Sequence, residues 1–252
     1  MKSISQNKGN TFVSVCMATY NGERYIRQQI DSILSQLELS DELIISDDGS
    51  TDSTLEIINS YHDIRIKVFH HQQSASHNES YQTNINVAAN FENALRHSNG
   101  EYVFLSDQDD IWVHNKIRKM KHELEKRGGV VMSSFTVIKS DGSIKKERVI
   151  PQKNSFLRGL IIAKYLGSSM GICRDFLESA LPFPPNVVSH DAWLGLLARY
   201  QKKLTIIDEP LLLYRRHNEN VTTKKKKNTL ISKIKYRCYL LYHVLRRSYN
   251  EK

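Results

Sequence analysis

This chain of 252 residues has little cysteine: Cys16, Cys173 and Cys238, far apart and with no C-x-x-C pair. Such spacing argues against a zinc site and a disulfide framework, and fits reduced thiols in a cytosolic protein. Long apolar runs are missing too, so no segment is expected to span a bilayer. The start, MKSISQNKGN, lacks the apolar middle of a signal peptide. There is no internal repeat, and low complexity is confined to the four lysines at 224–227. A basic surplus is absent from most of the chain. Net charge is +9, yet residues 224–252 hold ten Lys or Arg and one acid, Glu251, while the other 223 residues hold 26 basic and 26 acidic side chains. The main body therefore lacks the basic face that nucleic acid requires, and no nucleic-acid partner is expected.

What remains is ordinary globular material, 40% hydrophobic and 25% charged, and long enough for a sizeable core. Residues 12–17 read as a strand, followed by Ile26, Ile30, Ile33, Leu34 and Leu37 at helical spacing. Residues 42–46 read as a second strand, and Leu55 and Ile58 mark a helix that Ser50, Thr51 or Asp52 would cap. A third strand is expected at 64–69, a helix through Val87, Ala88, Phe91, Ala94 and Leu95, and a fourth strand at 102–105. This alternation predicts a mostly parallel α/β sheet with helices on both faces. Further on come a charged helix at 116–127, a strand at 130–134, and a hairpin around Asp141-Gly142. A Gly/Ser loop then enters a short helix, SHDAWLGLLARY starts another, and LTIIDEPLLLYRR reads as two short strands.

Each early strand ends in a polar cluster: ATYNGE, SDDGSTD and SDQDD. Ligands of open α/β sheets sit beyond the carboxyl ends of the strands, so three clusters at one edge make a site. Asp107, Asp109 and Asp110 would repel one another unless a cation sits among them. Magnesium and similar ions bind one or two carboxylates plus phosphate oxygens, which suggests a metal with a diphosphate ligand. Taken alone, D-x-D also describes a solvated loop with one Asp capping the next helix. SDDGSTD alone is equally a capped β–α turn, and Tyr20 either a base-stacking ring or a core-edge tyrosine.

In this order and spacing, VSVCMATYNGERYIRQQIDSILSQ, LIISDDGSTDST and GEYVFLSDQDDIW resemble glycosyltransferase family two, inverting nucleotide-sugar enzymes with the GT-A fold. The D-x-D-D-I-W form is similar to bacterial polysaccharide rhamnosyltransferases and to β1,3-galactosyltransferases of O-antigen assembly. The resemblance implies a GT-A, Rossmann-like sheet and assigns roles by position. Ala18, Thr19, Tyr20 and Glu23 would line the nucleotide pocket, with Tyr20 near the base. Asp48 would accept from the base imide, with Asp47 beside it. Asp107 would reach the ribose or the metal shell, and Asp109 would bind Mn²⁺ or Mg²⁺ directly. Trp112 would shape the sugar subsite, and Gly167, Ser168, Ser169, Met170 and Gly171 would form the acceptor-side loop. YRRHNENVT would close over the donor, with Arg215 and Arg216 on its phosphates, Asn220 beside them, and His217 on the metal or pyrophosphate.

An inverting transfer needs a carboxylate at the acceptor hydroxyl. Asp191 in SHDAWL is the candidate base; His190 stands where many relatives carry a second acid. The tail places Ile231, Ile234, Cys238, Leu241, Tyr242 and Leu245 at helical spacing among Lys and Arg. This pattern suits either an interfacial amphipathic helix on an anionic membrane or a helix packed back on the body. The expected organisation is a nucleotide-sugar half (1–112), an acceptor and base half (113–222) and the tail (223–252). The expected activity is transfer of galactose from UDP-galactose, β1,3 to GlcNAc-diphosphate-undecaprenol, at the cytoplasmic face of a bacterial inner membrane. Transfer of rhamnose from dTDP-rhamnose is the alternative within the family. A D-x-D phosphohydrolase and a non-catalytic membrane-bound assembly partner are the alternatives outside it.

Overall fold

The computed structural model describes residues 12–72, 81–149, 156–162, 165–218, 220 and 230–250. Its first half runs β1 (Val13–Thr19), α1 (Ile26–Leu34), β2 (Glu42–Asp47), α2 (Thr54–Asn59), β3 (Ile66–His70), α3 (Gln82–His97) and β4 (Tyr102–Asp107). The second half runs β5 (Ile111–Trp112), α4 (Lys116–Arg127), β6 (Val130–Lys139), β7 (Ile144–Val149), α5 (Phe156–Ile162), β8 (Met170–Cys173), α6 (Arg174–Ala180), α7 (His190–Tyr200), β9 (Leu204–Arg216) and α8 (Leu230–Asn250). One curled sheet joins both halves in the order β3-β2-β1-β4-β8-β6-β9-β5, with β7 against β6. Strands β3, β2, β1 and β4 are parallel to one another. β8 is antiparallel to β4 and to β6, so β6 and its parallel neighbour β9 run in the direction of β4. The carboxyl ends of β1, β2, β4 and β9 therefore share one edge.

Alternation along the buried strands splits the core in two. Cys16, Ile44, Val103 and Leu105 face α3, α6, α7 and α8, where Phe91, Phe176 and Trp193 pack. Val15, Met17, Ile45 and Phe104 face α1 and α4, where Ile30, Ile33 and Met120 pack. Both faces are covered, which is why these strands read as continuous apolar runs. Each such side chain contributes about 1.5–3 kcal/mol when fully buried.

Three expectations are corrected. β3 begins at Ile66; Ile64 is 81% exposed, ahead of an edge strand. The Gly/Ser loop contains a strand, β8, wedged between β4 and β6. Gly171 permits this, because a Cβ there would lie 2.8 Å from the Phe104 ring. The two expected strands around 204–216 are one, β9, whose register against β6 jumps from Ile207 to Pro210. The bulge accommodates a proline that has no N–H to give the ladder. The hairpin between β6 and β7 forms where Asp141-Gly142 stands. Among the described residues, no helix is long and apolar enough to cross a membrane.

Candidate active site

The first wall of the site is a zipper between the loops after β1 and β2. Asn21, at φ 46°, donates its N–H to Ser50 Oγ at 2.9 Å and accepts from the Thr51 N–H at 2.8 Å. Asn tolerates this left-handed conformation better than most residues. Glu23 takes the Ser53 N–H at 3.0 Å, so its carboxylate serves the start of α2. Asp47 is fully buried and accepts from the N–H groups of Gly49 (3.1 Å) and Ser50 (2.9 Å) and from the hydroxyls of Ser50 (2.5 Å) and Thr19 (3.0 Å). Asp47 and Thr19, expected on the nucleotide, are therefore spent on the loop itself. Asp48 pairs with His71 Nδ1 at 2.6 Å. Asn90 and Asn93 of α3 tie the same strand ends together through Thr19 O (3.2 Å) and Ser46 Oγ (2.7 Å).

Tyr20 is held by its backbone and left open at its ring. The Gln108 side-chain amide accepts from the Tyr20 N–H at 2.8 Å and donates to the Tyr20 carbonyl at 3.0 Å. Gly22 leaves room for that amide, which a Cβ would strike. The ring is 49% exposed. Ala18 is partly buried at the same edge.

The second wall is the end of β4, joined to β9 by the two-residue strand β5. Asp109 Oδ2 meets His217 Nε2 at 2.7 Å and the Asn220 amide at 2.9 Å. Asn220 Oδ1 also takes the His217 N–H at 2.6 Å, which fixes the turn. Arg215 donates its backbone N–H to Asp110 (2.9 Å) and its guanidinium to Asp109 O (2.9 Å), Gln28 (2.7 Å) and Ser140 O (3.2 Å). It also lies 4.8 Å over the Tyr25 ring and is 3% exposed. Arg215 thus braces the motif instead of offering itself to a phosphate. Arg216 remains partly exposed above Tyr214.

Sequence reasoning missed Lys116. It is fully buried beside the Asp cluster, donates to Ser168 O at 2.5 Å and sits 4.5 Å over the Trp112 ring. Its only sequence signal is its place at the head of the charged helix, four residues after Trp112. Trp112 itself is a core residue that supports this lysine, and not an exposed sugar-subsite ring. Burial drives the Lys116 ammonium down to about 7, against the pull of Asp110 and Asp107. Burial, then repulsion from Asp109 and Asp191, pushes the Asp107 carboxyl up to about 7, although part of it meets solvent. The same causes, burial and then Asp109 and Asp107, raise Asp110 well above the usual carboxylate range.

Among the described residues, no three His, Cys, Asp or Glu side chains form a metal cage. Of the expected set Asp107, Asp109 and His217, the last two lie side by side, His217 Nε2 against Asp109 Oδ2. The described bonds to the Asp109 carboxylate fall on Oδ2. Asp110 keeps one buried oxygen with no hydrogen-bond partner. Carboxylates at such density fit a divalent ion whose shell is completed by a ligand's phosphates, the usual mode for Mg²⁺.

The third wall is α7. Ser189 caps it, and Asp191 takes the Ala192 N–H at 2.7 Å and the Ser189 hydroxyl. Asp191 is half-buried, and its Cβ lies 3.7 Å from where a Cβ on Gly167 would stand, so it borders the 167–169 turn whose Ser168 carbonyl accepts from Lys116. The neighbouring His190 packs on Phe91, and burial lowers its pKa. Gly167 backs onto His190, whose Nε2 lies 2.6 Å from where a Cβ would stand. The 167–169 turn thus runs between Lys116 and His190, whereas Met170 and Gly171 belong to β8 and are buried.

Residues 14–180 match the family model described as Glycosyl transferase family 2. WfgD of Escherichia coli, a UDP-Glc:alpha-D-GlcNAc-diphosphoundecaprenol beta-1,3-glucosyltransferase, is 30% identical over 144 residues, 57% of this chain and 53% of WfgD. The dTDP-rhamnosyl transferase RfbG of Shigella flexneri is 28% identical over 225 residues, 81% of this chain and 72% of RfbG. The chain spans about half the length of some curated relatives, WfgD among them. S. aureus TarS in complex with UDP-GlcNAc superposes with a TM-score of 0.66 at 17% identity, over 95% of this chain and 73% of that one. The mannosyltransferase PcManGT from Pyrobaculum calidifontis, in complex with GDP-Man and Mn²⁺, gives 0.54 at 18% identity, over 83% and 57%. These two likenesses concern the fold. With the family match and these fold likenesses, the chain belongs to glycosyl transferase family 2 and has the GT-A fold.

Proposed function

We propose that this protein is an inverting hexosyltransferase that uses a UDP-sugar and a polyprenyl-diphosphate-linked acceptor. The observation that carries the reading is Asp191 beside the 167–169 turn, which on its other side meets Lys116 next to the Asp107–Asp110 cluster. A donor diphosphate at the cluster would present its anomeric carbon to an acceptor held near Asp191. The acceptor oxygen forms a bond to that carbon as the carbon–oxygen bond to the diphosphate breaks. The hydroxyl proton passes to Asp191, and the nucleoside diphosphate leaves. The Ala192 N–H and Ser189 hydroxyl hold the Asp191 carboxylate in place at the start of α7. Tyr20 stacks on the base and Asp48 accepts from its imide. Arg216 is the arginine left to meet the phosphates.

GT-A glycosyltransferases commonly use a divalent metal. Asp109, Asp107 and the unpartnered oxygen of Asp110 would hold Mn²⁺ or Mg²⁺ here, with His217 and Asn220 orienting Asp109. Such an ion supplies Lewis-acid stabilisation of the leaving diphosphate. The relation to WfgD supports a UDP-hexose, galactose or glucose, and β1,3 transfer to GlcNAc-diphosphate-lipid. The relation to RfbG supports dTDP-rhamnose as the second reading.

A panel of UDP- and dTDP-sugars with Mn²⁺, offered to synthetic GlcNAc-diphosphate-lipid, tests this. One donor is expected to yield a disaccharide-lipid of inverted anomeric configuration. Failure of both nucleotide classes to bind, or release of phosphate from a simple phosphomonoester without acceptor, overturns it.

A further inference from the structure

The tail helix α8 resolves the two readings of its sequence by satisfying each on a different face. Its inner face is docked: Leu240 and Val244 lie in the core with Trp193 and Leu197. Arg247 donates to the carbonyls of Ser179, Leu181 and Pro182, and Arg237 to those of Leu160 and Ile161. These two arginines are structural. The outer face carries an apolar stripe, Ile231, Ile234, Cys238, Tyr242, Leu245 and Tyr249, exposed along its whole length. The spacing of three and four residues keeps the stripe on one side of the helix. Lys233, Lys235 and Arg246 are exposed on the same helix.

We propose that this outer face of α8 is a membrane-docking surface that lies flat on an anionic bilayer. Charge selects the occupant. Residues 221–250 contain no acidic side chain, and four lysines at 224–227 precede the helix. Anionic headgroups complement such a surface, whereas a second copy of the same acid-free face would repel it. An apolar stripe bordered by Lys and Arg is the arrangement that inserts at the headgroup boundary. The helix is also tied to the segment before α7, since Tyr239 donates to Pro185 O at 2.5 Å. The docking face and Asp191 thus belong to one packed unit, which would bring the site to lipid-borne acceptors. That last consequence rests on the transferase reading; the surface itself does not.

The test is flotation of the full chain with phosphatidylglycerol–phosphatidylethanolamine vesicles, against phosphatidylcholine vesicles. The protein is expected to float with the anionic vesicles and to be released by salt. Ile234→Glu/Leu245→Glu, both outside the core, is expected to weaken that binding by about tenfold or more. UDP binding and thermal melting, measured on the same samples, are expected to stay at the wild-type value. They separate a failed surface from a failed nucleotide reading. Should the double variant melt lower, Tyr249→Glu, at a position 79% exposed, serves in its place. Wild type that ignores anionic vesicles, or variants that bind as wild type does, overturn the proposal. A dimer that the same substitutions dissociate also overturns it, in favour of a second copy as the occupant.

Discussion

Two acidic clusters end the strands that flank β1 and look alike as text, SDDGSTD after β2 and SDQDD after β4. Their surroundings differ. Asp47 is met by two N–H groups and two hydroxyls, so its charge is satisfied by the loop it folds. Asp107 and Asp110 face Asp109, each other and one buried lysine, with the Arg215 N–H donating to Asp110 and the Ser168 hydroxyl beside them, and both are pushed towards the protonated form. A carboxylate ringed by donors builds structure. Crowded carboxylates favour a cation from outside, and that is why the second cluster is the proposed ligand site.

The largest expected effect lies opposite the second cluster. Asp191→Asn is expected to lower kcat by about 10²–10⁴-fold with nucleotide affinity kept, as loss of a general base does. Steady-state kinetics alongside UDP titration checks it; a loss of affinity instead of turnover would break the assignment. Lys116→Met removes the internal cation of the second cluster. It is expected to cost about 3–5 kcal/mol in urea unfolding, the range for stripping one partner from a buried ion group. Mn²⁺ with UDP should recover part of that loss. Asp47→Ala leaves buried donors of the first cluster unmet and is expected to cost about 1–3 kcal/mol. That cost should be indifferent to Mn²⁺, and metal-dependent recovery here would erase the distinction between the clusters.

The last effect is one of pH. Asp107 stands near 7 in the fold, against about 3.9 for an ordinary aspartate. The folded state therefore holds this proton longer than the unfolded state, and ionisation between about pH 4 and 7 costs stability. Without metal, Asp107→Asn is expected to melt above wild type at pH 8 and level with it at pH 4. A difference that stays constant across that range would show that Asp107 is not crowded as described.

Much of the fold was legible in the sequence. Helix α4 runs over 116–127 as the charged, amphipathic pattern indicates, and α3 follows its apolar spacing. β8 was not legible, because four residues beside glycine and serine carry no pattern of their own. Only the gap between β4 and β6 makes them a strand. β9 reads as two short strands in the sequence, since a bulge is a property of the partner strand as much as of the proline. At the candidate site, the three strand-end motifs gather at one edge of the sheet, as their order suggests. They did not separate ligand-facing groups from braces: Arg215, Thr19 and Asp47 all turned inward, and Lys116 passed for one more charge on a polar helix.

The sequence by itself determined the alternation of strands and helices, the edge where the polar clusters gather, the family, and a helical tail with a basic surplus. These follow from local periodicity and from residue order, which a chain carries before it folds. Only the tertiary structure decided which charges are spent internally. Whether an arginine meets a phosphate or a carbonyl, or a tail helix shows one apolar face or none, depends on what long-range packing sets beside it. In a low-dielectric interior, each buried polar group must find a partner among those neighbours.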